Sequence, residues 1–253
     1  MATQKKIAVA GATGRLGHHV VDVLRERGHE VVPMSRATGV DVITGEGLGE
    51  AVAGTQLIVD AATGPSPEEA AAIEFFSTSA RNLQEVGAER GVEEILAVSI
   101  IGIDHFHTGY YAGKVAQERV HRAGPVPTRL LRASQFHEFV AELVEWSTQG
   151  EVTQLPAMRT QLVAARSVAE AIADLVDHAD GAPLGDPVSE VAGPREERLA
   201  EVAKLLVAKR GDGLEVREGD APDDPEGLWL AGALLPGPIA RLAGPTFAEW
   251  LDA

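Results

Sequence analysis

At 253 residues with 45% hydrophobic side chains, the chain can bury a sizeable core, and we read it as one continuous α/β domain. Its 38 acidic and 22 basic side chains give a formal charge of -16 with no basic cluster to offset it, which argues against nucleic-acid and membrane-surface partners. The chain has no cysteine, so disulfides, thiolate metal sites and a cysteine nucleophile are excluded; it also lacks an apolar run of about 18 residues for a membrane span, and its N-terminal apolar stretch is a poor signal peptide, so a cytoplasmic protein is expected.

In chain order, the first informative stretch is KKIAVAGATGRLG, residues 5 to 17. Ile7 to Ala10 reads as a strand buried on both faces, and Leu16, Val20, Val21 and Leu24 recur at helical spacing after it. With Glu30 to Met34 as a second strand, this makes a strand, glycine turn, helix and strand, whose free N–H groups and helix dipole suit a dinucleotide pyrophosphate. Gly11 would permit the tight turn, Gly14 would let phosphate approach, and Gly17 would let helix and strand pack closely. The candidate cofactor contacts here are Gly11, Thr13, Gly14, Arg15, Leu16 and Gly17. The spacing GxxGxxG departs from GxGxxG, and the competing reading is a tight turn with no ligand.

The second strand ends at Ser35 and Arg36, beside the expected adenosine ribose. NAD sites place an acid there, whereas Glu30 lies at the wrong end of the strand and Asp41 lies beyond a loop. Arg36 can accept a 2′-phosphate, so NADP(H) is favoured over NAD(H); otherwise Arg36 is a solvated loop cation. Asp41 to Ile43 reads as a short third strand, residues 47 to 54 as a short helix, and Leu57 to Asp60 as a fourth strand. After Gly64-Pro65-Ser66-Pro67 a long helix starts at Ser66 or Pro67 and runs to Val86.

Ile95 to Ser99 is the fifth strand, and Ser99 sits at its C-terminal end, where doubly wound sheets place ligands; a turn-forming serine is the competing reading. Asp104, His105 and His107 follow in a loop with no fourth partner at a metal-site spacing, so no metal is expected. Tyr110 and Lys114 lie four residues apart on one helical face, the YxxxK pattern, with Tyr111 as the competing tyrosine and a surface Lys114–Glu118 pair as the competing role for the lysine. Gly124-Pro125 closes that helix and Thr128 to Leu131 is the sixth strand. ASQFHEF opens a further helix in which Gln135, Phe136 and His137 border a substrate; the alternatives are core packing for Phe136 and Phe139 and a cap or surface place for His137. A helix from about Ser167, a seventh strand Val188 to Ala192, a helix Arg195 to Lys209 and a linker at 211 to 227 complete the reading. Beyond them lie Leu228 to Leu235 and the tail GPTFAEW, in which Phe247 and Trp250 either cap the core or mediate homo-oligomer formation.

GATGRLG, ILAVSIIGID (95 to 104), YYAGKVAQE (110 to 118), TRLLRASQFHEF (128 to 139) and GPTFAEWL (244 to 251) stand in family order, and together they resemble the extended and atypical short-chain dehydrogenase/reductases, including the NmrA-like group. The resemblance implies a Rossmann-like, doubly wound, mainly parallel sheet, with a core of about residues 1 to 192 and a C-terminal substrate-side lobe of about 193 to 253. It implies that the backbone of Ala61, Ala62 and Thr63 lines the cofactor, where standard members carry NNAG. It implies Ser99, Tyr110 and Lys114 as the catalytic set: Ser99 holds the substrate oxygen, Tyr110 delivers the proton, and Lys114 lowers the tyrosine pKa and binds the cofactor ribose. The activity expected is NADP(H)-dependent oxidation or reduction of a small organic carbonyl substrate. The alternatives are an NmrA-like dinucleotide sensor without turnover and an NAD(P)-dependent epimerase or isomerase.

Overall fold

The computed structural model describes residues 4–178, 188–221, 224 and 226–253. Strand β1 (Lys6–Ala10) buries Ile7 to Ala10 completely, because it pairs in parallel with β2 (Glu30–Met34) on one side and β3 (Leu57–Asp60) on the other. Helix α1 (Gly17–Glu26) turns Gly17, Val20, Val21, Val23 and Leu24 inward and stops at Arg27, with Gly28 taking a left-handed φ of 87°. The expected strand at Asp41 to Ile43 does not form. The Asp41 carboxylate instead accepts from the N–H groups of Ile43 (2.7 Å) and Thr44 (3.3 Å), a self-satisfied turn that competes with strand pairing. Helix α2 (Leu48–Ala51) follows.

Helix α3 (Glu69–Glu89) begins just after the proline break, and its buried side chains include Ala72, Phe76, Ala80 and Leu83. Then come β4 (Glu94–Ile100), α4 (Gly109–Ala123), β5 (Thr128–Ala133) and α5 (Phe139–Trp146). Residues 134 to 138 therefore precede α5 rather than opening it, because they are tied to another segment: His137 N–H donates to Val163 O (3.1 Å) and Val163 N–H to Gln135 O (3.0 Å). Short strands β6 (Thr148–Gln149), β7 (Val152–Pro156) and β8 (Arg159–Thr160) lead to α6 (Ala165–Asp177). Next are β9 (Val188–Ala192), β10 (Glu197–Arg198), α7 (Leu199–Arg210), β11 (Glu215–Gly219), α8 (Leu228–Ala231), β12 (Arg241–Leu242) and α9 (Phe247–Asp252). The segment read as a linker thus contains β11, which pairs in parallel with β7; residues 222, 223 and 225 of that segment lie outside the described residues.

Among the described residues the main sheet runs β12-β9-β5-β4-β3-β1-β2, the doubly wound, mostly parallel Rossmann arrangement. Its order reverses at β1, between β2 and β3, so the ligand crevice of such a sheet opens at the C-terminal ends of β1 and β3. The chain packs as two compact units. The first (Met1–Ser99, Phe106–Arg132, Val168–Ser189) has a core that includes Met34, Leu48, Ile58, Leu83 and Ile95. The second (Ile100–His105, Ala133–Ser167, Glu190–Ala253) contains the small sheet β11-β7-β6 and α7, which buries Leu199, Val202, Leu206 and Val207.

Candidate active site

The glycine turn joins β1 to α1 at the point where the strand order reverses. Gly11 has a left-handed φ of 74°, and a side chain on it would lie 2.6 Å from Ala61 O and 2.8 Å from Ala62 Cα. A side chain on Gly17 would strike Gly11 O at 2.0 Å, so the first turn of α1 sits directly against the loop. A side chain on Gly14 would meet only Gly11 O, at 3.2 Å. Leu16 occupies the N-cap position, where it supplies no side-chain acceptor, and the first turn of α1 carries no acid. The N-terminus of α1 therefore has amide donors and a positive dipole end without a side-chain cap, a fit for an anionic pyrophosphate. Thr13 is exposed on the same turn, and Gly14 and Arg15 are half-buried.

Across the crevice, Ala61 N–H donates to Ala10 O (3.1 Å) and Ala62 N–H to Asp60 Oδ1 (3.1 Å), so both amides are committed within the protein. Thr63, exposed at the end of β3, hydrogen-bonds through Oγ1 to the Tyr110 hydroxyl at 3.0 Å. At the end of β2, Ser35 is held in a closed turn, its N–H donating to Thr38 Oγ1 (2.9 Å). Arg36 is exposed, and among the described residues its guanidinium has no hydrogen bond or ion pair.

Tyr110 packs edge-on against Phe76 with ring centroids 5.4 Å apart. Burial pushes its phenol above the ordinary value, while the Thr63 hydrogen bond and the positive charge of Arg15 pull the other way. This departs from the expectation that Lys114 lowers the tyrosine, and the cause is where Lys114 goes. Its side chain is buried at 6% exposure, and Nζ donates to Val98 O (2.7 Å) and to Gln117 Oε1, rather than to Tyr110. Nζ also lies 4.6 Å from the Phe76 ring centroid. Burial lowers the Lys114 pKa to about 8, with Asp60 and Glu118 opposing the fall. Nor does Lys114 form a surface pair with Glu118. That carboxylate is buried and accepts two bonds from the Arg132 guanidinium (2.9 and 2.8 Å), plus one from Arg122 (3.3 Å).

Ser99 is 3% exposed near the C-terminal end of β4, and among the described residues its Oγ has no hydrogen-bond partner. Because Lys114 is anchored on the carbonyl of the preceding Val98, α4 is tied to the strand at the serine's own position. Tyr111, the competing tyrosine, is stacked on Phe106 with centroids 4.6 Å apart. Sequence reading missed Asp60, Gln117 and His121, which form a buried polar chain with Lys114. A signal for them was present: Lys114, Gln117 and His121 stand at i, i+3 and i+7 on one face of a helix, and Asp60 ends an otherwise apolar strand.

Gln135, Phe136 and His137 belong to the second unit. Gln135 Oε1 accepts from Thr160 Oγ1 (2.8 Å) and among the described residues its Nε2 has no partner; Phe136 is half-buried and bridged to Val163. His137 is neither a cap nor a surface residue. At 1% exposure it donates from Nε2 to Leu162 O (3.0 Å) and forms a three-ring cluster with Phe247 (5.4 Å) and Trp250 (5.3 Å), and among the described residues its Nδ1 has no partner. Burial pushes its pKa down to about 4. Phe247 is itself fully buried, so of its two expected roles it takes the packing one, whereas Phe139 is only half-buried and packs edge-on to the exposed Trp146. Among the described residues, no three His, Cys, Asp or Glu side chains are grouped to hold a metal, and no helix is long and apolar enough to cross a membrane.

No protein-family model matches the chain, and no curated protein matches it. Solved structures do match. A nucleoside-diphosphate-sugar epimerase from Staphylococcus aureus superposes with a TM-score of 0.72 at 15% identity, covering 98% of this chain and 100% of that one. A dTDP-4-dehydrorhamnose reductase from Bacillus anthracis in complex with NADP gives 0.69 at 16% identity, covering 98% of each chain. A short-chain dehydrogenase/reductase superfamily protein from Agrobacterium tumefaciens with bound NAD gives 0.67 at 18% identity, covering 98% of this chain and 95% of that one. At these identities the likeness is one of fold.

Proposed function

We propose that the chain is a nicotinamide-dinucleotide-dependent enzyme of the extended short-chain dehydrogenase/reductase type. It interconverts an alcohol and a carbonyl, as a net reduction or as one half of an epimerisation, on a nucleoside-diphosphate-sugar-like substrate. The observation that carries the reading is the Tyr110 hydroxyl, set 3.0 Å from Thr63 Oγ1 at the end of β3, the strand whose following loop packs against the Gly11 turn. The substrate class and the inclusion of epimerisation draw on the named epimerase and reductase of the same fold. NADP(H) is the favoured cofactor, on the strength of the unpaired Arg36 at the end of β2.

The N–H groups of Ala12, Gly14 and His18 already donate to Met34 O (3.2 Å), Gly11 O (2.9 Å) and Gly14 O (3.2 Å), so the remaining amides at the N-terminus of α1 would hold the pyrophosphate, and Arg36 the 2′-phosphate. A bound nicotinamide supplies or accepts the hydride. As a carbonyl is reduced, negative charge grows on its oxygen; the unpartnered Ser99 hydroxyl donates a hydrogen bond to it, and Tyr110 delivers the proton. An ordinary phenol is already protonated near neutrality, so Tyr110 holds the proton it delivers, and the hydrogen bond to Thr63 Oγ1 holds its hydroxyl in place.

The test is a panel of nucleoside-diphosphate sugars, followed by absorbance at 340 nm for net redox and by proton NMR of the sugar for epimerisation. Tyr110→Phe keeps dinucleotide affinity and loses roughly 10²- to 10⁴-fold in turnover. A Tyr110→Phe protein that turns substrate over at the wild-type rate places the acid elsewhere. Tight NADPH binding with no turnover of any substrate makes the chain a dinucleotide-binding module instead.

A further inference from the structure

Helix α4 turns several polar side chains into the protein: Lys114, Gln117, Glu118 and His121 are all buried, and Asp60 at the end of β3 is 0% exposed. Their hydrogen bonds form one chain. Lys114 Nζ donates to Gln117 Oε1, Gln117 Nε2 donates to Asp60 Oδ2 (2.7 Å), and His121 Nε2 lies 2.9 Å from the same oxygen. Asp60 Oδ1 takes the Ala62 N–H (3.1 Å), and Gln84 Nε2 lies 3.4 Å from His121 Nδ1. The order of donors is determined by chemistry. An ionised carboxylate only accepts, so Gln117 must present its amide nitrogen to Asp60 and its oxygen to the ammonium, and His121 must carry its proton on Nε2.

A buried ammonium needs an opposite charge, and two carboxylates act on Lys114. Glu118 on α4 is already engaged by Arg132 on β5 and Arg122 on α4. Among the described residues, Asp60 on β3 has no cationic partner other than Lys114 and, when protonated, His121. We propose that Asp60, acting through the Gln117 amide, is the buried counter-charge that keeps Lys114 protonated and anchored on the Val98 carbonyl, with His121 and Gln84 holding Asp60 in place. Asp60, Gln117 and His121 are then positioning residues of the active site; that role, though not the charge pairing itself, rests on the function proposed above.

The chain has five lysines, Lys5, Lys6, Lys114, Lys204 and Lys209, so each can be followed by NMR of isotope-labelled side chains as pH is varied. On the protein without dinucleotide, where burial lowers the Lys114 pKa to about 8, its midpoint is expected well below the ordinary lysine value. In Asp60→Asn its midpoint falls by about one pH unit or more. Gln117→Met lowers it in the same direction while sparing the Asp60–His121 contact, and decides the matter should Asp60→Asn fail to fold. An unmoved or higher midpoint in the folded variants overturns the proposal. With an accepted substrate, the alkaline limb of the kcat/KM profile moves down together with the Lys114 midpoint in these variants, and a limb that stays in place while the midpoint moves removes the positioning role. Absence of turnover in the wild-type protein would count against the proposed function and leave the lysine titration to judge the charge pairing.

Discussion

The glycines of the first turn separate folding from binding, and two alanine substitutions expose the difference. At Gly17 the added carbon would sit 2.0 Å from Gly11 O and 2.7 Å from Gly11 C, both backbone atoms that no rotamer change can move. A carbon and an oxygen approach to about 3.3 Å even in a weak hydrogen bond, so α1 must shift by more than about 1 Å relative to the loop. Such overpacking costs about 1 to 3 kcal/mol, which at this chain length is a fall in Tm of about 2 to 12 °C. At Gly14 the added carbon meets one atom, at 3.2 Å, and the backbone is outside the left-handed region. The small crowding there is opposed by about 0.4 to 1 kcal/mol from a stiffer unfolded chain, so Gly14→Ala leaves Tm within about 2 °C of wild type. If phosphate approaches this turn, the same methyl group occupies its path, and NADPH affinity falls at least about tenfold, or about 1.4 kcal/mol. Thermal unfolding followed by circular dichroism and titration calorimetry measure the two effects. Wild-type affinity in a Gly14→Ala protein of unchanged Tm would remove the phosphate from this loop, and an unchanged Tm in Gly17→Ala would refute the packing argument.

If Arg36 takes the 2′-phosphate as proposed, NADPH binds more tightly than NADH by about 1.5 to 3 kcal/mol, roughly 10- to 150-fold in affinity, and Arg36→Ala abolishes the difference; equal wild-type affinities for the two cofactors, by calorimetry, would end that assignment. His137 makes stability fall with acid, because its folded pKa of about 4 lies below the ordinary 6.5 and the unfolded chain takes the proton first. Its contribution is complete above about pH 6.5, is lost as pH falls toward 4, and amounts to about 3 kcal/mol; Tm against pH has a shallower acid slope in His137→Leu than in wild type, and identical slopes contradict it.

The elements that sequence patterning located best are those whose signal is local. Leu57–Asp60 is a short apolar run closed by turn residues, and Tyr110 and Lys114 sit inside a helix bounded by Gly109 and Gly124. Where the signal is tertiary, the reading failed. Asp41 to Ile43 has strand-like composition, but the Asp41 side chain satisfies the local amides before any neighbour can. Glu215–Gly219 alternates only weakly and buries little, so its pairing with β7 could not be told from a polar linker. A lysine four residues before a glutamate looks like a surface pair, and nothing local reveals that both side chains turn inward to different partners. His137 likewise depends on Phe247 and Trp250, more than a hundred residues away in sequence.

Asp60 shows how one carboxylate can serve both sides of the crevice. Its Oδ1 accepts the Ala62 N–H and so shapes the loop that leaves Gly11 no room for a side chain, while Oδ2 receives two donors from α4. Asparagine at this position can keep the first contact, since an amide oxygen also accepts, but it then points an NH₂ group at the nitrogens of Gln117 and His121. Relief requires Gln117 to turn its amide over, which would present NH₂ to the Lys114 ammonium, and His121 to move its proton to Nδ1, which would face the amide nitrogen of Gln84. Gln84 is fixed in turn by the Val126 N–H donating to its Oε1 (2.8 Å), so it does not turn without losing that bond. Each remedy transfers the mismatch one link along the chain, and each buried group left unpaired costs about 1 to 3 kcal/mol. The acid is thus required by the direction of the donors as well as by charge, and an isosteric amide is a poor substitute for it.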